Sequence, residues 1–131
     1  MAAEAPPPGK PRLFHDTFAL LELANGNPAY VPYAGLPVYT HQFNVYEFVA
    51  AGLRERHSEA AVREQVHAMN PNLLEATLDD LIRASHFRLE HASRRLSYVD
   101  ALGYVLAKRH GLRFLTGDRQ FQDLPRVEFA R

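Results

Sequence analysis

Short apolar runs alternate along the chain with longer stretches of helical spacing. Arg12 to Thr17 (RLFHDT) is a β-prone run that ends in an acid, and FALLELANG after it has apolar positions at helical intervals closed by Gly26. Pro28, Pro32, Pro37 and Gly35 in NPAYVPYAGLPV break regular structure before a second β-prone run, Val38 to His41. The spacing of Val45, Val49, Gly52 and Leu53 predicts a helix from Phe43 to about His57, and SEAAVREQVHAM from Ser58 predicts another, stopped by Asn70 and Pro71. Leu73 to Thr77 is a third brief strand. LDDLIRASHFRLEHA is amphipathic, with Leu78, Leu81, Ile82, Ser85 and Leu89 on one side. LSYVDALGYVLAKRHG reads as a last helix with a stop at Gly111, Leu112 to Leu115 as a strand, and VEFA as the final strand. Strands separated by helices imply an α/β fold, with a parallel sheet flanked by helices on both faces. That order brings the first and fourth strands together.

At 131 residues the chain is one domain's worth. Residues 1–11 form a flexible Pro-rich leader with nothing to pack, and 12–131 form a single domain. Fifteen Lys plus Arg balance fifteen Asp plus Glu, so no global field advertises nucleic acid or an anionic membrane, and any such contact is local. Cysteine is absent, which removes disulfides and thiolate metal sites. With no signal-peptide core and no run long enough for a bilayer, the expected location is the cytoplasm, without a membrane partner.

Chemistry is carried by acids in particular places. In an open parallel sheet, ligands bind beyond the carboxyl ends of the strands, where the strand order reverses. Asp16 closes the first strand, and Asp118 follows the fourth by way of Thr116 and Gly117. Each also has a local explanation: TGDR is a turn with an Asp suited to capping, and Asp16 suits the cap of the next helix. Ser97 and Asp100 have the spacing of a capping box, as do Thr77 and Asp80. No cation lies three or four residues from Asp100, so it makes no surface ion pair along its helix; it caps the helix end, points into a shared polar pocket, or does both. Glu47 sits at the margin of an apolar arc beside Asn44 and Arg54, a place where a solvated acid is the common outcome.

Seven histidines form no HExxH or other tight ligand pair, so a zinc site lacks support, although His15 and His41 lie beside strand ends where a pocket forms. Walker, GxSxG and GxGxxG motifs are missing. Arg12, Arg94, Arg95, Lys108, Arg109 and Arg119 are scattered, so folding must assemble any basic groove.

Asp-Thr after the first strand, an acid on the helix after the second, and then SYVDALGYVLAKRHGLRFLTGD with a trailing VEFA resemble the PIN-domain family, in particular its VapC-type toxin ribonucleases. The resemblance runs from about Leu13 through nearly the whole domain. It implies a PIN-like α/β/α sandwich in which clustered acids hold a divalent metal for cutting RNA. Carried onto this chain, those acids are Asp16, Glu47, Asp100 and Asp118, with Thr17, Ser97 and Thr116 as supporting hydroxyls. The first motif departs from the family in reading HDTF, where an apolar residue before the acid and a small or polar one after the threonine are commoner. Glu55 is a rival to Glu47. The resemblance further implies RNA as substrate, a cognate antitoxin protein as partner and a homodimer; apolar and aromatic residues such as Phe48, Phe87 and Tyr98 exceed what one small core absorbs, and some of them are expected to be exposed in the monomer.

Oxygen-only, anionic ligands favour Mg²⁺ or Mn²⁺ over zinc. Converging carboxylates repel one another unless cations or protons relieve them. The expectation is that Asp16, Asp100 and Asp118 share one concave site, their oxygens within roughly one coordination sphere. A haloacid-dehalogenase phosphatase needs a second Asp two residues after the first, where Phe18 stands, and a receiver domain needs paired early acids. The remaining alternative is a PIN-like RNA- or protein-binding module without catalysis.

Overall fold

The computed structural model describes Gly9 and residues 11–131; apart from Gly9 and Pro11, the expected leader lies outside them. Five parallel strands form one sheet in the order β3-β2-β1-β4-β5: β1 Leu13–His15, β2 Tyr39–Thr40, β3 Asn72–Leu73, β4 Arg113–Thr116 and β5 Val127–Phe129. The helices are α1 Thr17–Ala24, α2 Gln42–Arg54, α3 Glu59–Met69, α4 Leu78–Glu90 and α5 Tyr98–Arg109. Alternation along the strands divides the core, since successive side chains point to opposite faces. Phe14 and Tyr39 join Ala84 of α4 and Leu102 and Leu106 of α5 on one face. Leu13 packs with Ala19 of α1, and Val38 with Leu20 and Phe48, on the other. The parallel sheet flanked by helices on both faces is therefore present, and β1 and β4 are neighbours.

Several local expectations are corrected. The proline-rich segment does not stay irregular: Asn27 accepts the Ala29 N–H, and Pro28–Tyr33 winds into a short 3-10 helix. The first strand is shorter than Arg12 to Thr17, because Asp16 caps α1 and Thr17 is that helix's first residue. The third strand falls at Asn72–Leu73, before most of Leu73 to Thr77, since Asn72 N donates to Val38 O and Leu74 N to Thr40 O while Thr77 caps α4.

Packing divides the three aromatic residues expected to exceed one core. Phe48 is buried and Phe87 stacks on Tyr104 in the core, which leaves only Tyr98 of the three at the surface, 75% exposed. Conversely, the apolar side of α4 faces solvent, with Leu78 at 72% and Leu89 at 75% exposure. Asp80 explains that orientation. It is buried and receives two bonds from the Arg109 guanidinium, 2.7 and 2.9 Å, so α4 turns its Asp80–Ala84–Phe87 side inward.

Candidate active site

β1 and β4 pair Leu13 with Arg113, Phe14 with Phe114 and His15 with Leu115, and Asp16 N continues the ladder by donating to Leu115 O. Both strands end at the same edge. From β1 the chain runs outward to β2 and β3, then returns to β4 on the other side, so the strand order reverses at this point, the position at which open parallel sheets bind ligands.

Asp16 lies there with only 3% exposure. Its Oδ1 accepts the Ala19 N–H at 2.8 Å, capping α1, and its Oδ2 accepts the Thr116 hydroxyl at 2.5 Å. The Thr116 oxygen in turn accepts the Asp118 N–H, and Asp118 Oδ1 accepts the Gln120 N–H, capping the short 3-10 helix Arg119–Phe121. Asp100 and Ser97 complete a reciprocal capping box at the start of α5, with bonds of 3.1 and 3.0 Å. The local role of each of these acids is thus real. Each cap also directs helix N–H groups toward the carboxylates, which lowers the cost of gathering negative charge.

The same acids feel one another. Burial pushes Asp16 up to about 7 against the opposing bonds from Thr116 and Ala19, and the charges of Asp100 and Asp118 push the same way. Burial likewise raises Asp100, opposed by Ser97, with Asp118 and Glu47 adding repulsion. Glu47, exposed on α2, accepts the Thr17 hydroxyl at 2.6 Å, which ties it to the residue after Asp16. Glu55, at the C-terminal cap of α2, faces His57 at 3.8 Å and makes none of these contacts.

The PIN domain model matches residues 13–127 of the chain. The chain belongs to the PIN-domain family. No curated protein matches it. Among solved structures, this PIN domain is similar to a toxin-antitoxin complex from Klebsiella pneumoniae, with a TM-score of 0.70 and 18% identity over 88% of this chain and 95% of that one. It is similar to VapC20 from Mycobacterium tuberculosis, described as a sarcin-ricin loop cleaving toxin, with a TM-score of 0.72 and 22% identity over 91% and 99% of the two chains. VapBC2 from Rickettsia felis, bound to a DNA fragment from their promoter, gives a TM-score of 0.66 and 11% identity over 91% and 98%. These likenesses are of fold.

The side chains of this PIN domain depart from one expectation. Among the described residues, no group of three or more His, Asp or Glu side chains is arranged to hold a metal ion. Both oxygens of Asp16 are engaged in hydrogen bonds, as is one oxygen each of Asp100, Asp118 and Glu47. The donor chemistry nevertheless suits Mg²⁺ or Mn²⁺, because every side chain gathered here offers hard oxygen. The buried, mutually repelled Asp16 is also a group whose charge a cation relieves.

Asn44 escaped the sequence reading as a site residue. It is 1% exposed and donates to the Thr17 oxygen at 3.2 Å, and no partner for its own Oδ1 is found among the described residues. Its place three residues before Glu47 on one helix was the available signal. His15 is fully buried and driven down to about 4 by desolvation, hence neutral, while His41 accepts the Phe43 N–H as the cap of α2.

Proposed function

We propose that this PIN domain is a divalent-metal-dependent endoribonuclease and the toxin of a type II toxin-antitoxin pair. The observation that carries the reading is the hydrogen-bonded chain Asp16–Thr116–Asp118 at the β1/β4 edge, with Glu47 tied to Thr17 beside it. Those four acids would hold Mg²⁺ or Mn²⁺. Thr116 orients Asp16 and links it to Asp118, Thr17 orients Glu47, and Ser97 fixes the turn that carries Asp100. When bound, a divalent ion supplies positive charge for the phosphoryl oxygens and acidifies water.

The chain's acids orient the attacking water at phosphorus. The P–O3′ bond breaks, hydroxide adds to phosphorus and the proton goes to O3′, leaving a 5′-phosphate and a 3′-hydroxyl. The location proposed with an RNA substrate is the cytoplasm. No helix among the described residues is long and apolar enough to cross a membrane. The toxin-antitoxin complexes among the similar structures support an antitoxin partner; the partner proposed here is a small protein, one segment of which covers the acids. The homodimer proposed with it uses the exposed Leu78, Leu81 and Ile82 at the start of α4.

A binding module without catalysis is the second reading, favoured by the engagement of the acid oxygens in caps. Asp100→Asn separates the two. Asn still caps a helix, so folding is retained, while one ligand charge is lost. The enzyme reading predicts cleavage of a mixed RNA pool that requires Mg²⁺ or Mn²⁺, stops with EDTA and is abolished in Asp100→Asn at nearly unchanged melting temperature. Cleavage that survives EDTA, or full activity in the variant, refutes it; wild type that neither cleaves nor gains thermal stability from Mn²⁺ supports the binding module.

A further inference from the structure

Held guanidinium groups divide into two kinds. Arg63, Arg94, Arg109 and Arg113 are matched to Glu59, Asp123, Asp80 and Glu128, so their charge is answered within the chain. Arg131 is held by neutral groups: its Nη1 donates to Gly117 O at 2.9 Å, and its guanidinium lies 5.7 Å from the Phe18 ring centre. Arg88 is held in the same manner, with Nε donating to Leu96 O at 3.0 Å and the guanidinium 4.0 Å over the Tyr98 ring.

The neighbours of these two arginines lie in the acid segments. Gly117 precedes Asp118 and Phe18 follows Thr17, so Arg131 borders the β1/β4 side of the site; Leu96 and Tyr98 flank Ser97, so Arg88 borders the Asp100 side. Arg131 arrives because Ala130 N extends the parallel ladder to Thr116 O, carrying the chain past the end of β5 to the edge where the acids gather.

We infer that Arg88 and Arg131 are phosphate anchors that grip RNA backbone on opposite sides of the acid site. A carbonyl and a ring fix each guanidinium without neutralising it, and since a guanidinium has five N–H donors, most remain for phosphate oxygens. Fixed cations on either side also answer a problem the acids create, because a gathered set of carboxylates repels a polyanion. The inference rests on RNA being the ligand of the proposed site, but not on its cleavage. Arg12 provides an internal contrast: it stacks on Tyr39 at 5.3 Å, just before β1 and so at the opposite edge of the sheet.

The test is binding of a fluorescent single-stranded RNA by anisotropy in EDTA, followed from about 50 to 200 mM salt. Arg131→Gln and Arg88→Gln keep an amide that donates to Gly117 O or Leu96 O but lose the charge. Each anchor lost lowers the slope of log affinity against log salt by about 0.7, and both together by about 1.4. Arg131→Lys retains the slope. Arg12→Gln leaves it unchanged. An unchanged slope in the two Gln variants, whatever their melting temperatures, overturns the inference, as does an equal drop in Arg12→Gln or a wild type that binds no RNA. Anchoring without any cleavage by the wild type upholds the anchors and removes the nuclease reading, so the two fail separately.

Discussion

The Thr116 hydroxyl donates to Asp16 Oδ2 across 2.5 Å, joining two residues 100 apart in the chain, and its oxygen also accepts the Asp118 N–H. One buried hydroxyl therefore couples the end of β1 to the turn after β4. Thr116→Val keeps the shape and removes the bond. We expect a loss of about 1–3 kcal/mol, the usual cost of leaving a buried acceptor without its donor. Because the Thr116 bond opposes the effect of burial, Asp16 should titrate higher still. Chemical denaturation and carboxyl NMR titration check both; a variant as stable as wild type shows the bond to be dispensable.

Metal and proton should compete for Asp16. Its carboxyl stands at about 7 in the folded chain against 3.8 ordinarily, so between these values the folded state holds a proton that the unfolded state has released. Stability of the metal-free protein therefore falls as pH rises through that window and levels off above it, by about 4 kcal/mol in all if only this group counts. Mn²⁺ should then raise the melting temperature more at about pH 8 than at about pH 5, where protons already neutralise the site. Equal shifts at both values count against Asp16 as a ligand.

Gly117 has no room for a side chain. A Cβ added there sits 2.6 Å from Ala130 O and overlaps the Phe18 ring. Gly117→Ala should cost about 1–3 kcal/mol as overpacking does. It should also displace Asp118 and abolish cleavage. Melting curves and the RNA assay read the two effects; an alanine variant with full activity shows that the turn adapts freely.

Association, if it uses α4, should be severed there. Leu81→Lys with Ile82→Lys places two charges on a side already in water, where substitutions ordinarily cost within about 0.5 kcal/mol. Light scattering should give twice the chain mass for wild type and the single mass for the variant, at similar melting temperatures. A dimer that persists in the variant places the interface elsewhere.

Local chemistry wrote much of this protein legibly. Caps at Asp16, Ser58, Thr77 and Ser97 fall where the side-chain patterns place helix starts, and the alternation of strands and helices implied a parallel sheet, because such signals span only a few residues and need no distant partner. The motif acids are legible in the same way, but Asp16, Asp100 and Asp118 each have a sufficient local explanation at a helix start. Tertiary structure decided what lay beyond that reach. The α4 stripe looked like a core face until the buried Asp80–Arg109 pair turned it outward, and Phe48 looked spare until Leu20 and Val38 closed over it. The third strand took its position from Val38 and Thr40, not from its own composition. Asn44, ordinary in its helix, became part of the site through Thr17. Parallel pairing of β1 with β4 brings Asp16 to Thr116 and the turn of Asp118, where burial raises Asp16 and the charges of Asp100 and Asp118 add to it; Coulomb interaction depends on distance in space, and only the fold sets that distance.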